Sequence, residues 1–225
     1  MHLLIAAISG WGKGFLTQSL AEQNIPEYDT AVIMDYSDEY RGLVEAGIAE
    51  WWIGGPRERD WSAADWGAFL DENPRVVSAR HDTLSASGWQ GLAASVARHV
   101  RGRNGTVLFV VDEAHFVVPQ GEGFPDILKE LATTGRGNGV SYVVISQRLS
   151  EVEKTVTTQM QSRLLGGFDG DVRRVGDRRA VVGVRSVLRH VRRDEVVALV
   201  RVRVAMRHRD QRLVLGQLRL DARRP

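Results

Sequence analysis

Short apolar runs alternate with longer helical stretches through the first 145 residues of the chain. The run Val107–Val111 is apolar at every position, which is typical of a strand buried on both faces of a parallel sheet. Four further runs read as strands: Leu3–Ile8, Ala31–Asp35, Val76–Ala79 and Tyr142–Ile145. Helices are predicted near 15–23, 89–100 and 126–134, the second from one apolar face at helical spacing. This alternation predicts an α/β fold, a mostly parallel sheet flanked by helices.

The charge of the chain is divided between two unlike parts. Residues 1–171 hold 14 basic and 23 acidic side chains, a net of −9, whereas residues 172–225 hold 16 arginines and 5 acidic side chains, a net of +11. The overall charge of +2 hides this difference. We therefore predict one domain over 1–171 and a basic, Arg/Val-rich C-terminal extension over 172–225.

Several classes of protein are excluded by composition. The chain has no cysteine, so it has neither disulfides nor thiolate metal sites nor a cysteine nucleophile. Its longest apolar runs are too short to cross a bilayer. No basic region precedes the first apolar run, so we expect no signal peptide and a cytoplasmic location.

A glycine-rich loop separates the first predicted strand from the first predicted helix. Gly10, Gly12 and Lys13 suit a phosphate-binding loop, in which backbone N–H groups converge on phosphate oxygens, the helix N-terminus adds its dipole and a lysine reaches the β- and γ-phosphates. The candidate nucleotide-binding residues are Ser9, Gly10, Trp11, Gly12, Lys13, Gly14 and Phe15. A plain strand–turn–helix is the alternative.

This loop departs from the usual G-x-x-x-x-G-K-[ST] pattern at both ends. Ala7 replaces the first glycine, which is a small change. Gly14 replaces the hydroxyl residue that normally holds Mg²⁺, and Ser9, Thr17 or a water molecule are the candidate substitutes.

An acidic pair follows the most apolar strand. Asp112 and Glu113 come directly after Val107–Val111, so they are expected at the carboxyl edge of the sheet, where ligands bind in open α/β folds. Asp112 is the candidate Mg²⁺ ligand. Glu113 is the candidate group that polarises the attacking water, which favours hydrolysis. The alternative is an acidic pair that caps a helix beginning at Ala114.

Together with these two motifs, three further blocks occur in a fixed order, and the set resembles the HerA/FtsK superfamily of P-loop motor ATPases. The further blocks are Asp35–Tyr40, Thr134–Val140, and Ile145–Ser150 with Lys154–Val156 after it. The resemblance covers about residues 3–168 and implies a RecA-like P-loop NTPase fold that uses ATP and Mg²⁺. The Ser-Gly-Trp-Gly-Lys segment is also similar to small ATPases of haloarchaeal viruses and plasmids.

The same resemblance implies roles for three more residues. Gln147 would hydrogen-bond the γ-phosphate or the attacking water, Arg136 would act as an arginine finger on a neighbouring subunit, and Asp35 would lie beside the metal or the water. The alternatives are a solvated strand end, a surface arginine and the start of a turn. His115 is interpreted as a packing or capping residue. A homo-oligomeric ring, a hexamer around DNA, is implied as well.

Two questions stay open at the level of sequence. The C-terminal segment 172–225 is either an evolved DNA-binding extension or a frameshifted or poorly ordered tail, because its arginines come without lysine or aromatic residues. The function is either DNA translocation or packaging for a virus or mobile element, or a nucleotide-binding switch or scaffold that hydrolyses little because of Gly14. Within 1–171 only three basic residues are Lys, and this acidic composition suits high salt.

Overall fold

The computed structural model describes residues 2–9, 11–121 and 123–166, together with the two-residue strand Val197–Ala198. Apart from those two residues, the predicted extension 172–225 lies outside the described residues. Its two interpretations therefore stay open.

Seven parallel strands form one sheet in the order β3-β4-β2-β5-β6-β1-β7. The strands are β1 His2–Ala7, β2 Thr30–Asp35, β3 Glu50–Gly54, β4 Arg75–Arg80, β5 Val107–Val111, β6 Val140–Ser146 and β7 Ser162–Gly166. Val197–Ala198 pairs in parallel with β7 at the outer edge. The predicted parallel α/β sheet is confirmed.

Helices cover both faces of this sheet. They are α1 Lys13–Asn24, α2 Arg41–Glu45, α3 Pro56–Arg59, α4 Ala63–Glu72, α5 Ala86–Gly102, α6 Asp126–Thr134 and α7 Lys154–Gln159. Short 3₁₀ turns lie at Ile25–Glu27, Ala114–Phe116, Gly135–Asn138 and Leu149–Glu151. Within the part of the chain that the structure describes, no helix has the length and apolar character needed to span a membrane.

The core has two layers because the central strands are buried on both faces. Val32 and Met34 of β2 belong to the layer under α4, α5, α6 and α7, whereas the alternating Ala31 and Ile33 belong to the layer under α1 and α2. The same division splits β5. A strand buried in this way has no polar face, which explains the wholly apolar runs in the sequence.

The predicted helix near 89–100 is confirmed as α5, and the six apolar residues that predicted it are fully buried. The segment 51–66 had no predicted structure. It forms the edge strand β3, α3 and the start of α4. Trp52, Trp61 and Trp66 pack together, with ring centroids 4.7 Å apart for Trp61 and Trp66. An edge strand shielded by aromatic side chains lacks the apolar alternation by which strands are recognised.

The strand order determines where a site can form. Strand β6 lies between β1 and β5, and all three run in the same direction. Their carboxyl ends therefore meet at one edge of the sheet, which is the edge where ligands bind in open α/β folds.

Candidate functional site

The loop after β1 leads directly into α1, and Gly12 is the residue at which the helix is capped. Its φ of +84° lies in the left-handed region, which glycine adopts without a steric penalty. The backbone N–H groups of the first turn of α1 therefore lie free at the carboxyl edge of the sheet, where they can bind an anion. Gly10 lies outside the described residues.

Lys13, the first residue of α1, reaches across β6 to the end of β5. Its Nζ lies 3.3 Å from Asp112 Oδ1 and 3.5 Å from Glu113 Oε1. All three side chains are buried, with at most 5% of the residue exposed. The structure thus brings the lysine of the predicted phosphate loop and both predicted carboxylates into direct contact.

Lys13, Gln147 and His115 surround the carboxylate of Glu113. Gln147, which follows β6, donates its Nε2–H to Glu113 Oε1, the same oxygen that Lys13 contacts. On the other side, His115 Nδ1 lies 3.3 Å from Glu113 Oε2. The backbone at Glu113 is left-handed, with a φ of +44°, a conformation that is uncommon outside glycine. This sharp turn at the strand end directs the carboxylate toward Lys13.

Burial and charge oppose each other at this site. Burial raises the pKa of Asp112 to about 6, although the ammonium of Lys13 acts in the opposite direction. Burial alone would lower the pKa of Lys13, but the carboxylates of Asp112, Glu113 and Glu39 outweigh it, so that the pKa of Lys13 is raised. Lys13 is therefore charged at neutral pH and is the cation that makes the buried carboxylates tolerable.

His115 was expected to pack or to cap. It is buried at the start of the 3₁₀ turn after β5, it contacts Glu113, and its Nδ1 lies 3.4 Å from Ser146 Oγ. Burial lowers the pKa of His115, so its imidazole is neutral at neutral pH. A neutral ring fixed between a hydroxyl and a carboxylate can orient Glu113 without adding charge.

The residues present fit a nucleotide-bound Mg²⁺. Asp112 is completely buried and its Oδ2 has no hydrogen-bond partner among the described residues. Carboxylate oxygens are ligands that Mg²⁺ prefers. The described residues contain no group of three His, Cys, Asp or Glu side chains that could hold a metal ion. A Mg²⁺ at Asp112 would consequently need oxygens from a ligand, which is usual for Mg²⁺ bound with phosphates.

Asp35 is fully buried at the end of β2. Its Oδ1 accepts the backbone N–H of Glu39 and its Oδ2 accepts the backbone N–H of Tyr40, both at 3.1 Å. With both oxygens occupied by backbone groups, the carboxylate holds the turn after β2. These contacts make Asp35 a residue that positions the turn, and its place beside the metal or the water stays a prediction.

Arg136 lies at the other edge of the sheet. It is exposed in the 3₁₀ turn that precedes β6, whereas Gln147 follows the same strand. A seven-residue strand is about 20 Å long, so Arg136 does not reach Lys13 of its own chain. Beside it opens a basic cleft of about 620 Å³, lined by Arg98, Arg101, Gly102, Arg103, Asn104, Ile127 and Asn138.

The remaining loop residues differ in exposure. Ser9 is exposed and Trp11 is half-buried. Phe15 is 57% exposed in the first turn of α1. A Cβ placed on Gly166, the last residue of β7, would overlap the Trp11 ring, so this strand end must be glycine for Trp11 to lie there. Gly166 had no predicted role.

Two contacts of the site had no signal in the sequence. Glu39 lies within the Asp35–Tyr40 block, but its carboxylate is next to Gly14, so that the structure relates the acidic block to the phosphate loop. His115 lies beside Glu113 because the chain bends sharply at Glu113. Both contacts depend on how a turn folds, and no periodicity reports such a contact.

Comparisons with known proteins identify solved structures of the same fold, while no protein-family model and no curated protein matches the chain. The genome packaging NTPase B204 of Sulfolobus turreted icosahedral virus 2, in complex with ATP-gammaS, is similar with a TM-score of 0.56 and 14% identity, over 82% of this chain and 85% of that one. VirB4 of Thermoanaerobacter pseudethanolicus is similar with a TM-score of 0.56 and 12% identity, over 84% and 81%. The fold is that of a P-loop NTPase.

The bacterial conjugative coupling protein TrwB is similar as well, with a TM-score of 0.50 and 13% identity over 71% of this chain and 67% of that one. At these identities the likeness describes the fold and not the activity. The site of this P-loop NTPase fold is therefore judged from its own residues.

The buried Lys13 makes the stability of the ligand-free protein depend on pH. In Lys13→Met, the two carboxylates lose their cation, and the free energy of unfolding should fall by about 3 kcal/mol at pH 8. The pKa of Asp112 is already raised in the folded state, so the penalty for ionising it is absent at low pH and grows as the pH rises past about 6. The deficit should therefore shrink between pH 8 and pH 5.

Urea unfolding at several pH values measures this deficit. The matched control is Lys129→Met, which removes an exposed lysine on α6 and should leave the free energy of unfolding within about 0.5 kcal/mol of the unsubstituted chain. A deficit for Lys13→Met that is the same at pH 5 and pH 8 would contradict the assigned charge state.

Proposed function

We propose that this chain is the motor domain of an ATPase that hydrolyses ATP with Mg²⁺ in order to translocate or package DNA. The observation that carries the proposal is the contact of Lys13 with Asp112 and Glu113 across β6, with Gln147 at the end of the intervening strand. Support for action on DNA comes from the similar structures, which include a genome packaging NTPase and a conjugative coupling protein.

Each residue has a role that its surroundings favour. The N–H groups of the loop at Gly12 and of the first turn of α1 would bind the phosphates, and Lys13 would turn from the carboxylates to the β- and γ-phosphate oxygens. Asp112 would hold Mg²⁺, which supplies neutralisation of the charge that develops on the phosphates. Phe15, exposed beside the loop, offers an apolar surface to the base.

Glu113 is the group that would accept a hydrogen bond from the attacking water and orient it toward the γ-phosphate. Gln147 donates to Oε1 of this carboxylate and His115 lies beside its Oε2, so the carboxylate is positioned before the ligand arrives. Once Lys13 and Gln147 turn to the γ-phosphate, the Oε1 of Glu113 is released to the water. Positioning and charge stabilisation are the main contributions of a protein to phosphoryl transfer.

Arg136 has a role only if subunits assemble head to tail. Because it lies at the edge of the sheet opposite to Lys13, it would meet the γ-phosphate of a neighbouring subunit as an arginine finger. The basic cleft beside Arg136 would then face the carboxyl edge of the neighbouring subunit's sheet, where the carboxylates and the bound phosphates lie. A repeated contact of this kind closes into a ring when the rotation between subunits allows it, and the family likeness favours a hexamer around DNA.

The alternative, a nucleotide-binding switch or scaffold, depends on Gly14 alone. We favour hydrolysis because Glu113 is buried in contact with Lys13 and Gln147 at the point where a water would attack. The acidic composition of residues 1–171 and the rarity of lysine there, three among 14 basic residues, agree with a further proposal that the chain belongs to a haloarchaeal virus or plasmid.

Glu113→Gln tests the chemistry. The amide keeps the shape but accepts a hydrogen bond from water only weakly, so we expect turnover to fall about 10²- to 10⁴-fold while ATP affinity is retained. Glu72→Gln, an exposed carboxylate at the end of α4, is the control and should turn over normally. Phosphate release is measured with and without double-stranded DNA, which should accelerate the unsubstituted chain. Normal turnover in Glu113→Gln would refute the hydrolytic assignment.

Mixing two inactive variants tests the shared site. Arg136→Ala lacks the finger and Glu113→Gln lacks the water-orienting group, so each should be inactive alone. In a mixed ring, some interfaces join an intact Glu113 to an intact Arg136, and ATPase activity should return. Failure of every mixture to exceed the separate variants would show that Arg136 does not act on a neighbour.

A further inference from the structure

The space of the missing hydroxyl residue in the phosphate loop is already filled. A Cβ built on Gly14 would overlap Oε2 of Glu39 and lie 3.3 Å from Glu39 Cδ. The carboxylate of Glu39 thus occupies the volume in which the Ser or Thr side chain of the usual pattern would stand. A side chain at position 14 would require only the exposed end of the Glu39 side chain to move away.

Glu39 is held in this place by buried groups. Asp35, which is fully buried, accepts its backbone N–H, and the same carboxylate accepts that of Tyr40, whose side chain is also fully buried. Asp38, which lies between Asp35 and Glu39 in the chain, adopts a left-handed φ of +61°. The turn after β2 is therefore fixed on both sides of Glu39, although the residue itself is exposed to solvent.

The charges around Lys13 are not balanced. Three carboxylates, those of Glu39, Asp112 and Glu113, act on one ammonium. Asp112 Oδ2 is buried and has no hydrogen-bond partner among the described residues, so this oxygen is available to bind a metal ion. An excess of two negative charges beside a buried unpaired oxygen favours a divalent cation.

We infer that Glu39 replaces the hydroxyl residue absent at position 14 and supplies, together with Asp112, an oxygen ligand to the Mg²⁺ of the bound nucleotide. The inference rests on the proposed function. It explains why the loop can dispense with Ser or Thr, because the metal ligand comes from the turn after β2. It also gives Asp35 its purpose, since that carboxylate holds the turn that carries Glu39.

A purely structural role is the competing explanation. The first turn of α1 contains no acidic residue of its own, and a carboxylate there would stabilise the N-terminal end of the helix dipole. A structural role and a metal role predict different measurements. Loss of a structural role lowers the free energy of unfolding of the ligand-free protein. Loss of a metal role reduces the gain in nucleotide affinity that Mg²⁺ provides.

The test measures the affinity for ATPγS by titration calorimetry, once with Mg²⁺ and once with EDTA. In the unsubstituted chain Mg²⁺ should strengthen binding. In Glu39→Gln we expect this strengthening to decrease roughly tenfold, while affinity in EDTA stays the same or improves because a negative charge is gone. Glu45→Gln, an exposed carboxylate on α2, should behave like the unsubstituted chain.

A rescue separates the metal role from the structural one. Gly14→Ser in a Glu39→Ala chain restores a hydroxyl into the vacated space and should recover the effect of Mg²⁺, whereas Gly14→Ser with Glu39 present should weaken it through overlap. A Mg²⁺ effect unchanged in Glu39→Gln, or a double variant no better than Glu39→Ala, would overturn the inference. If the unsubstituted chain binds no ATPγS under either condition, the proposed function itself fails.

Discussion

The arrangement of this protein depends on a buried lysine held between two buried carboxylates. Lys13 comes from α1, whereas Asp112 and Glu113 directly follow β5, and strand β6 lies between β5 and the strand that leads into α1. Buried charges are tolerated only when they are paired. The ion cluster therefore fixes the first turn of α1 against the end of β5, and the loop that precedes α1 is placed over the same edge.

This pairing also suggests why nucleotide and metal would bind together. Lys13 can turn to phosphate oxygens only if another cation takes its place beside Asp112, because otherwise a fully buried carboxylate is left without a neighbouring cation. Glu39 adds a third negative charge at the same point. In the ligand-free site, the ammonium of Lys13 thus neutralises the carboxylates that would bind the divalent ion when nucleotide is present.

The framework of this site was predictable from the sequence, but its internal contacts were not. Apolar runs that are buried on both faces placed β1 and β5 correctly, and the carboxyl-edge rule placed Lys13 and Asp112 together. Periodicity did not reveal the edge strand β3, whose side chains are half shielded by aromatic rings. Nor did it reveal the contact of Glu39 with Gly14, since that contact depends on how a turn folds.

The most direct measurement is a structure of the chain with ATPγS and Mg²⁺. The account predicts that Lys13 Nζ leaves Glu113 for the β- and γ-phosphate oxygens, and that Mg²⁺ lies beside Asp112, about 2.1 Å from its oxygen ligands. A triphosphate bound elsewhere, such as in the basic cleft at Arg98 and Arg103, with Lys13 still on its carboxylates, would contradict it.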